Sequence, residues 1–579
     1  LTSPETSVQR DEVITALIGE TDTNSGRYWR EFISNTLPER LDNVADSDQY
    51  VAEGMAERLA EAGILPMYGM PSRIRLLYHG LGPREAYTID RDLEIAITDF
   101  APAAEKTKDK AVHTCIGFTA PLRLIRDRWT PLSNNPFAER FGMARCLLCG
   151  HLERIEINEV PEITNCPTCG VPIGPNFKTF NAVIPLAFRT DFSPGQDARE
   201  GLRKTFGSAA TAENLASGFS QIGQLNCDVA FVPDHLVWKI NDRYGELFSG
   251  SLLTTEGNIG RDGQFYPRVR LQSQWIGNDF IDRVVNPARS IVPASQIEQL
   301  AICSGKTTSV LRFRPHSLPD GISLSPIDQW HKLRGGIKSA VYSAGFIIRA
   351  VASEPDFLDI DPDEIEVCNY SRSQIGGADV ADITLSDGLP NGSGFVEWLY
   401  RNWEEILHSA TSDDPHVMTD YTRMLISPNH RSSCDSACYE CLKSYRNMGH
   451  HGLLDWRLGI SYLKILASPN YRCGLDGNFS SPELIEWPQL AGHVCDCFAN
   501  IFGYQRETWA GLPGISSGDR RIIIVHPLWD TRYPRRLIDR AIAEAGGRIE
   551  DTFFLDTFDL HRRPSWCKKE LEDRILLNY

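Results

Sequence analysis

No stretch of about 18 uninterrupted apolar residues occurs in this 579-residue chain, so the sequence offers no membrane-spanning helix. The opening residues, LTSPETSVQRDE, lack a basic start followed by an apolar run and do not read as a secretory signal. The chain opens on Leu1 and not on Met, which suggests a processed product or a piece of a longer polypeptide. Internal repeats, low-complexity tracts and Gly-Ser linkers are missing, so domain boundaries are soft. Positive charge is scarce: 59 Lys and Arg face 76 Asp and Glu, a net charge of -17. An acidic surface repels phosphate, so global electrostatics do not favour nucleic-acid binding. Two local runs depart from the average, PLRLIRDRWT with Arg123, Arg126 and Arg128, and the acidic EPDFLDIDPDE over 354–364. Solvated surface is the commoner meaning of both.

A complete phosphate loop is also lacking. Ser304-Gly305-Lys306-Thr307 imitates the end of one, but Leu300 stands where the first glycine belongs, and a strand-like segment follows where a helix is needed. No DEAD or DEAH tetrapeptide occurs. These gaps argue against an ATPase motor within the chain.

Cysteine, in contrast, is plentiful. Fifteen is an odd count for a pure disulfide framework, and seven of them sit at metal-ligand spacing. Thiolates on metal in a reducing cytoplasm fit this pattern better than disulfides. Cys146-Leu-Leu-Cys149 and Cys166-Pro-Thr-Cys169 are two CxxC pairs, each followed by a glycine. Each pair suits a tight knuckle that points two sulfurs at one ion. Four thiolates close a tetrahedral shell with no open position, so the expected ion is a structural Zn2+. Such a site folds a segment with too few apolar residues to fold alone. A second unit, CDSACYECLKSYRNMGHHGLLDW, places Cys434, Cys438 and Cys441 at separations of four and three. All three can reach one point at the start of a helix. The fourth ligand stays open among His430, His450, His451 and the distant Cys368. Two structural zinc ions per chain are expected.

Composition is ordinary for a globular protein, and the length suggests roughly three to five domains. The fold expected is α+β and multidomain. Residues 1–75 read as a helical segment, because EVITALIGE, RYWREFISNTL and YVAEGMAERLAEAGIL place apolar residues at i, i+3 and i+4. Residues 76–144 read as β-rich, with IRLLYH, LEIAITDF and CIGFTAPL as strands. Residues 145–172 form an inserted zinc ribbon, and 173–320 a second β-rich domain. Residues 321–470 form a zinc-binding α/β domain with a long helix near 331–352. Residues 471–579 form a C-terminal α/β extension that ends β-α-β.

The series Cys438-x-x-Cys441-Leu-x-Ser-Tyr445, with Asn447, His451, Leu454 and Asp455, resembles the MrfA-like zinc-binding domain found at the C-terminus of DEAD/DEAH-type helicases. That family usually carries four cysteines, and Ser432 stands at the expected first position. His451, part of the matching series, is taken forward as the candidate fourth ligand. GILPMYGMPSRIRLLYH (63–79), RDLEIAITDFAP (91–102), PLAFRTDF (185–192), LSDGLPNGSGFVEWL (385–399), HPLWD (526–530) and FDLHRRPSW (558–566) also fit the family. The resemblance implies a non-motor accessory region of a DNA helicase, or a partner subunit to one. It further implies contact with single-stranded DNA and a motor upstream or on another chain. The family context is phage defence of the Druantia or DISARM type, or DNA repair.

Other patterns carry less. Pro390-Asn391-Gly392-Ser393-Gly394 could hold an anion on free amides, though a permissive strand-to-helix turn explains it as well. His526, Asp530, Asp556 and Asp559 invite a nuclease reading of the C-terminal β-α-β, but no compact acidic cluster accompanies them. A stand-alone protein adaptor is the remaining alternative, consistent with the acidic balance.

Overall fold

The computed structural model describes residues 73–577 except 109, 126–127, 149–150, 158–163, 168, 175, 193–195, 198–208, 213–217, 254–257, 260–264, 267–272, 285–296 and 329–331; before these it describes 7–18, 24–46, 58–59 and 62. Helices over Ser7–Ile18, Asn24–Glu31 and Leu37–Asp46 match two of the three helices expected near the start. Most of the third, over 50–65, lies outside the described residues.

One strand organises the rest. Glu298–Pro315 runs for 18 residues through a 15-stranded sheet. On one side it pairs with Phe248–Leu252 and then with Cys227–Asn241, both antiparallel. On the other it pairs with Phe177–Pro185, parallel, and then with Ala378–Asp387, antiparallel. The strand is buried on both faces for most of its length, which is why its sequence, EQLAICSGKTTSVLRFRP, is rich in β-branched and small residues.

The phosphate-loop look-alike lies in the middle of this strand. Gly305 faces Trp238 across the ladder, and a Cβ there would come within 2.6 Å of the indole. That packing accounts for the glycine. Lys306, almost fully buried, donates to Glu366 Oε2 at 2.7 Å and to the Gly388 carbonyl at 2.6 Å. Lys239, Arg73 and Glu94 complete a buried ion network. Burial pushes the Glu94 carboxyl up, yet Lys306, Lys239 and Arg73 together overcome it and hold it at about 2. A carboxyl so depressed stabilises the fold above its ordinary pKa of 4.5 and loses that contribution as pH falls towards 2. The urea midpoint of the wild type should therefore drop more steeply between pH 5 and about 2 than that of Glu94→Gln. Parallel pH dependence of the two proteins would refute the network's role.

One expected strand is a helix. LEIAITDF forms the helix Leu93–Asp99, capped by Asp92, whose carboxylate accepts from the Glu94 amide at 2.8 Å. Leu93, Ala96, Ile97 and Phe100 are buried, a helical spacing that the alternation of the segment also allowed.

The second half is built on the hairpin Ile365–Ile375/Ala378–Asp387, with the helix Gly335–Ala352 laid across it and the helix Trp456–Ala467 packed on that helix. The helices approach closely at Gly459, where a Cβ would sit 2.8 Å from Ser343 Cβ and 2.9 Å from its carbonyl carbon. Gly459→Ala should cost about 1–3 kcal/mol, read as a lower denaturation midpoint; an unchanged midpoint would contradict the contact. The C-terminal extension carries the expected β-α-β, Arg520–Val525, Leu537–Glu544 and Thr552–Asp556, with the two outer strands parallel. A meander, Gln505–Trp509 and Leu512–Ser517, extends that sheet and was not expected. Arg334, just before the helix Gly335–Ala352, donates to the Pro527 and Trp529 carbonyls at 2.7 and 3.3 Å. Among the described residues no helix is long and apolar enough to cross a membrane.

Candidate metal centres

Two groups of side chains among the described residues bring their donor atoms within 4.8 Å of one another: Cys146, Cys166 and Cys169, and His430, Cys434, Cys438 and Cys441.

The first group lies between the strand Phe137–Cys146 and a short turn. Its three sulfurs are buried, and Cys146 Sγ lies 3.6 Å from Cys169 Sγ. The knuckle is drawn by backbone bonds: the Gly170 amide donates to the Cys166 carbonyl at 2.8 Å, and the Cys166 amide to Val171 at 2.8 Å. Gly170 needs its glycine for a φ of +72°, and the Arg372 guanidinium lies over it. Cys149, the expected fourth ligand, lies outside the described residues.

The second group is assembled by the helix Pro428–Ser433 and the turn that follows it. Ser427 caps this helix and Pro428 opens it. His430 and Cys434, four apart, face the same way, and the CYEC turn brings Cys438 and Cys441 opposite them. Cys438 Sγ lies 3.6 Å from Cys441 Sγ and 3.5 Å from His430 Nε2; Cys434 Sγ lies 3.9 Å from Cys441 Sγ. Four ligands about 2.3 Å from a central zinc would stand roughly 3.8 Å apart, so the spacing suits a tetrahedral ion. The Cys438 amide donates to Cys441 Sγ at 3.1 Å, stabilising negative charge on that sulfur. Hydrogen bonding from Cys434 pulls the Cys441 thiol well down, and the same partnership drives Cys434 up. Crowded sulfurs that push one another's protonation apart are what a divalent cation relieves.

Hydrogen bonds behind the donor atoms hold the ligands in place. His430 Nδ1 donates to the Leu425 carbonyl at 2.8 Å, which leaves Nε2 to face the sulfurs. Arg457 clamps the turn by donating to the carbonyls of Cys434, Asp435 and Arg431 at 3.0, 2.9 and 3.1 Å.

The structure does not bring His451 to the sulfurs. Its Nε2 lies 2.9 Å from both the Ser444 carbonyl and Asn447 Oδ1, inside the turn Tyr445–His450. His450 packs tilted against Tyr342, ring centres 4.7 Å apart, and Cys368 is buried beside Ser386. Ser432 is exposed and donates to the Asn429 carbonyl. The donor beside the three cysteines is thus His430, two residues before the serine, on the helix face that Cys434 shares.

Of the other candidate sites, the NGSG turn is already occupied by the protein itself, whereas His526, Asp530, Asp556 and Asp559 come together on the wall of one cavity. The amides of the NGSG turn are taken by the buried carboxylate of Asp387, which accepts from Ser393, Gly394 and Val396 at 2.9, 3.0 and 2.9 Å. No amide there waits for an anion. Asp387→Ala would leave three donors unmet and should cost about 1–3 kcal/mol, measured by chemical denaturation; a cost near zero would refute the cap. Asp530 and Asp556 cap turns, accepting from the Arg532 and Asp559 amides at 2.8 and 2.9 Å. Asp559 pairs with Arg563, and His526 is buried against Cys473.

Residues 349–442 match the family model of the MrfA Zn-binding domain. All four clustered donors fall at the end of this match, and Cys441 is its penultimate residue. No curated relative matches the chain. Among solved structures, the crystal structure of the DUF1998 helicase MrfA bound to DNA aligns with 68% of this chain at 9% identity and a TM-score of 0.29. The alignment takes in 34% of that structure, so this chain corresponds to about a third of its length. The segment over 349–442 is therefore similar to the zinc-binding domain of MrfA, and it carries a Cys3His donor set that could hold zinc.

Proposed function

We propose that this chain is the zinc-stapled, non-motor accessory region of a DNA helicase, or a partner subunit to one, acting in phage defence or DNA repair. In this role it scaffolds single-stranded DNA and docks an ATPase that lies upstream or on another polypeptide. Zn2+ at Cys146, Cys149, Cys166 and Cys169, and at His430, Cys434, Cys438 and Cys441, stiffens the platform. The observation that carries this reading is the coincidence of the MrfA Zn-binding match with a compact Cys3His cluster. The sequence adds that the one phosphate-loop look-alike is incomplete, and its lysine is buried in an ion network.

The test is a titration of labelled single-stranded DNA at two salt concentrations. Phosphate contacts make affinity fall steeply with salt, so binding near 50 mM salt that weakens about tenfold or more by 200 mM supports the reading. Absence of binding at low salt favours the second reading, a protein adaptor, which the net charge of -17 supports.

A further inference from the structure

We propose that the outer face of the second metal unit is a base-stacking platform for a single nucleic-acid strand, with Tyr439 and Tyr445 as the stacking rings. This deepens the nucleic-acid reading above and rests on it.

Large apolar side chains are mostly buried in this protein, yet three stand out on one ten-residue stretch. Tyr439 is 72% exposed, Tyr445 78% and Met448 51%. Their backbone is held firmly. Tyr439 lies within the knuckle between Cys438 and Cys441. Tyr445 opens a turn held by Asn447, whose Oδ1 accepts from the Ser444 amide at 2.8 Å and whose Nδ2 donates to the Leu442 carbonyl at 2.7 Å. His451 braces the first ring, meeting Tyr439 edge-on at 5.6 Å while its Nε2 is held inside the turn. This gives His451 a task other than metal binding. Rings that are exposed but preorganised lose little freedom when a base lies on them, and every base has a face to offer.

Charge favours the same partner. Residues 439–448 carry Lys443 and Arg446 against the single acid Glu440, a local reversal in a chain of net charge -17. Arg446 leans on Asp363 at 3.3 Å but its side chain is 71% exposed, so it can still reach a phosphate. Alternating tyrosine and base is the composition that follows a single strand without reading its sequence.

The experiment uses the full chain loaded with zinc and a fluorescently labelled thymidine oligonucleotide, read by anisotropy. Tyr439→Ala and Tyr445→Ala should each weaken binding by roughly 5- to 100-fold, with zinc content and thermal midpoint unchanged. Tyr445→Phe, which keeps the ring, should bind as the wild type does. Lys443→Ala and Arg446→Ala should lower the salt dependence by about one phosphate contact each. If the double tyrosine variant binds the oligonucleotide like the wild type, the platform is refuted while nucleic-acid binding elsewhere on the chain stands, and the rings pass to a protein contact. If the wild type itself does not bind at low salt, both the platform and the parent reading fall.

Discussion

Elemental analysis of a His430→Ala variant should find about one zinc ion per chain where the wild type holds about two, and a His451→Ala variant should keep both. The difference follows from where the imidazoles lie. His430 presents Nε2 to Cys438 Sγ at 3.5 Å, with its other nitrogen fixed on a carbonyl, whereas His451 spends its Nε2 within the neighbouring turn. Structural zinc in small domains contributes about 10–16 kcal/mol of apparent binding free energy, so removing one of four ligands should also lower the first thermal transition by about 5 °C or more. Cys438→Ser should act as His430→Ala does. Two ions retained in His430→Ala, together with one lost in His451→Ala, would overturn the assignment.

The buried ion pair of the central strand should give the largest effect outside the metal units. Arg312 is 3% exposed and Asp382 0%, and they form a two-pronged bridge of 2.5 and 2.8 Å between Glu298–Pro315 and Ala378–Asp387. Arg312→Met leaves a carboxylate without a partner in the core, at a cost of about 3–5 kcal/mol. Replacing both, Arg312→Met with Asp382→Leu, should recover most of that loss, because the pair also had to be stripped of water. Denaturant titration of the two variants decides it; a single mutant within about 1 kcal/mol of the wild type would be incompatible with a dry pair.

Much of this architecture is legible in the amino-acid order. The helices Gly335–Ala352 and Trp456–Ala467 follow from apolar residues at helical spacing, and Asp455 stands ready as the cap of the second, accepting from Arg457 and Leu458. The thiol clusters follow from their spacing alone, since short turns constrain sulfurs strongly. What the sequence hides depends on distant partners. Cys227–Asn241 continues through Pro233, a residue that ordinarily interrupts a strand, because a bulge between Val232 and His235 absorbs it. LEIAITDF satisfies two periodicities, and only the burial of Ala96 and Phe100 decides for the helix. His430 stands among the open candidates for the fourth ligand but lies outside the matching cysteine series that favours His451, and its relation to Cys434, one helical turn on, is the sequence signal that selects it. The anion-like NGSG turn is understood only once Asp387, three residues before Pro390, is seen to fill it.

The long strand Glu298–Pro315 has a practical corollary for anyone dividing the molecule. Its first residues belong to the ladder that leads to Cys146, and its last to the hairpin Ile365–Ile375/Ala378–Asp387. Severing the polypeptide after residue 320 would strip Ala378–Asp387 from its neighbour and bare a row of amides and carbonyls on each product. Such raw edges recruit other chains, so the halves made separately should precipitate where the intact molecule does not.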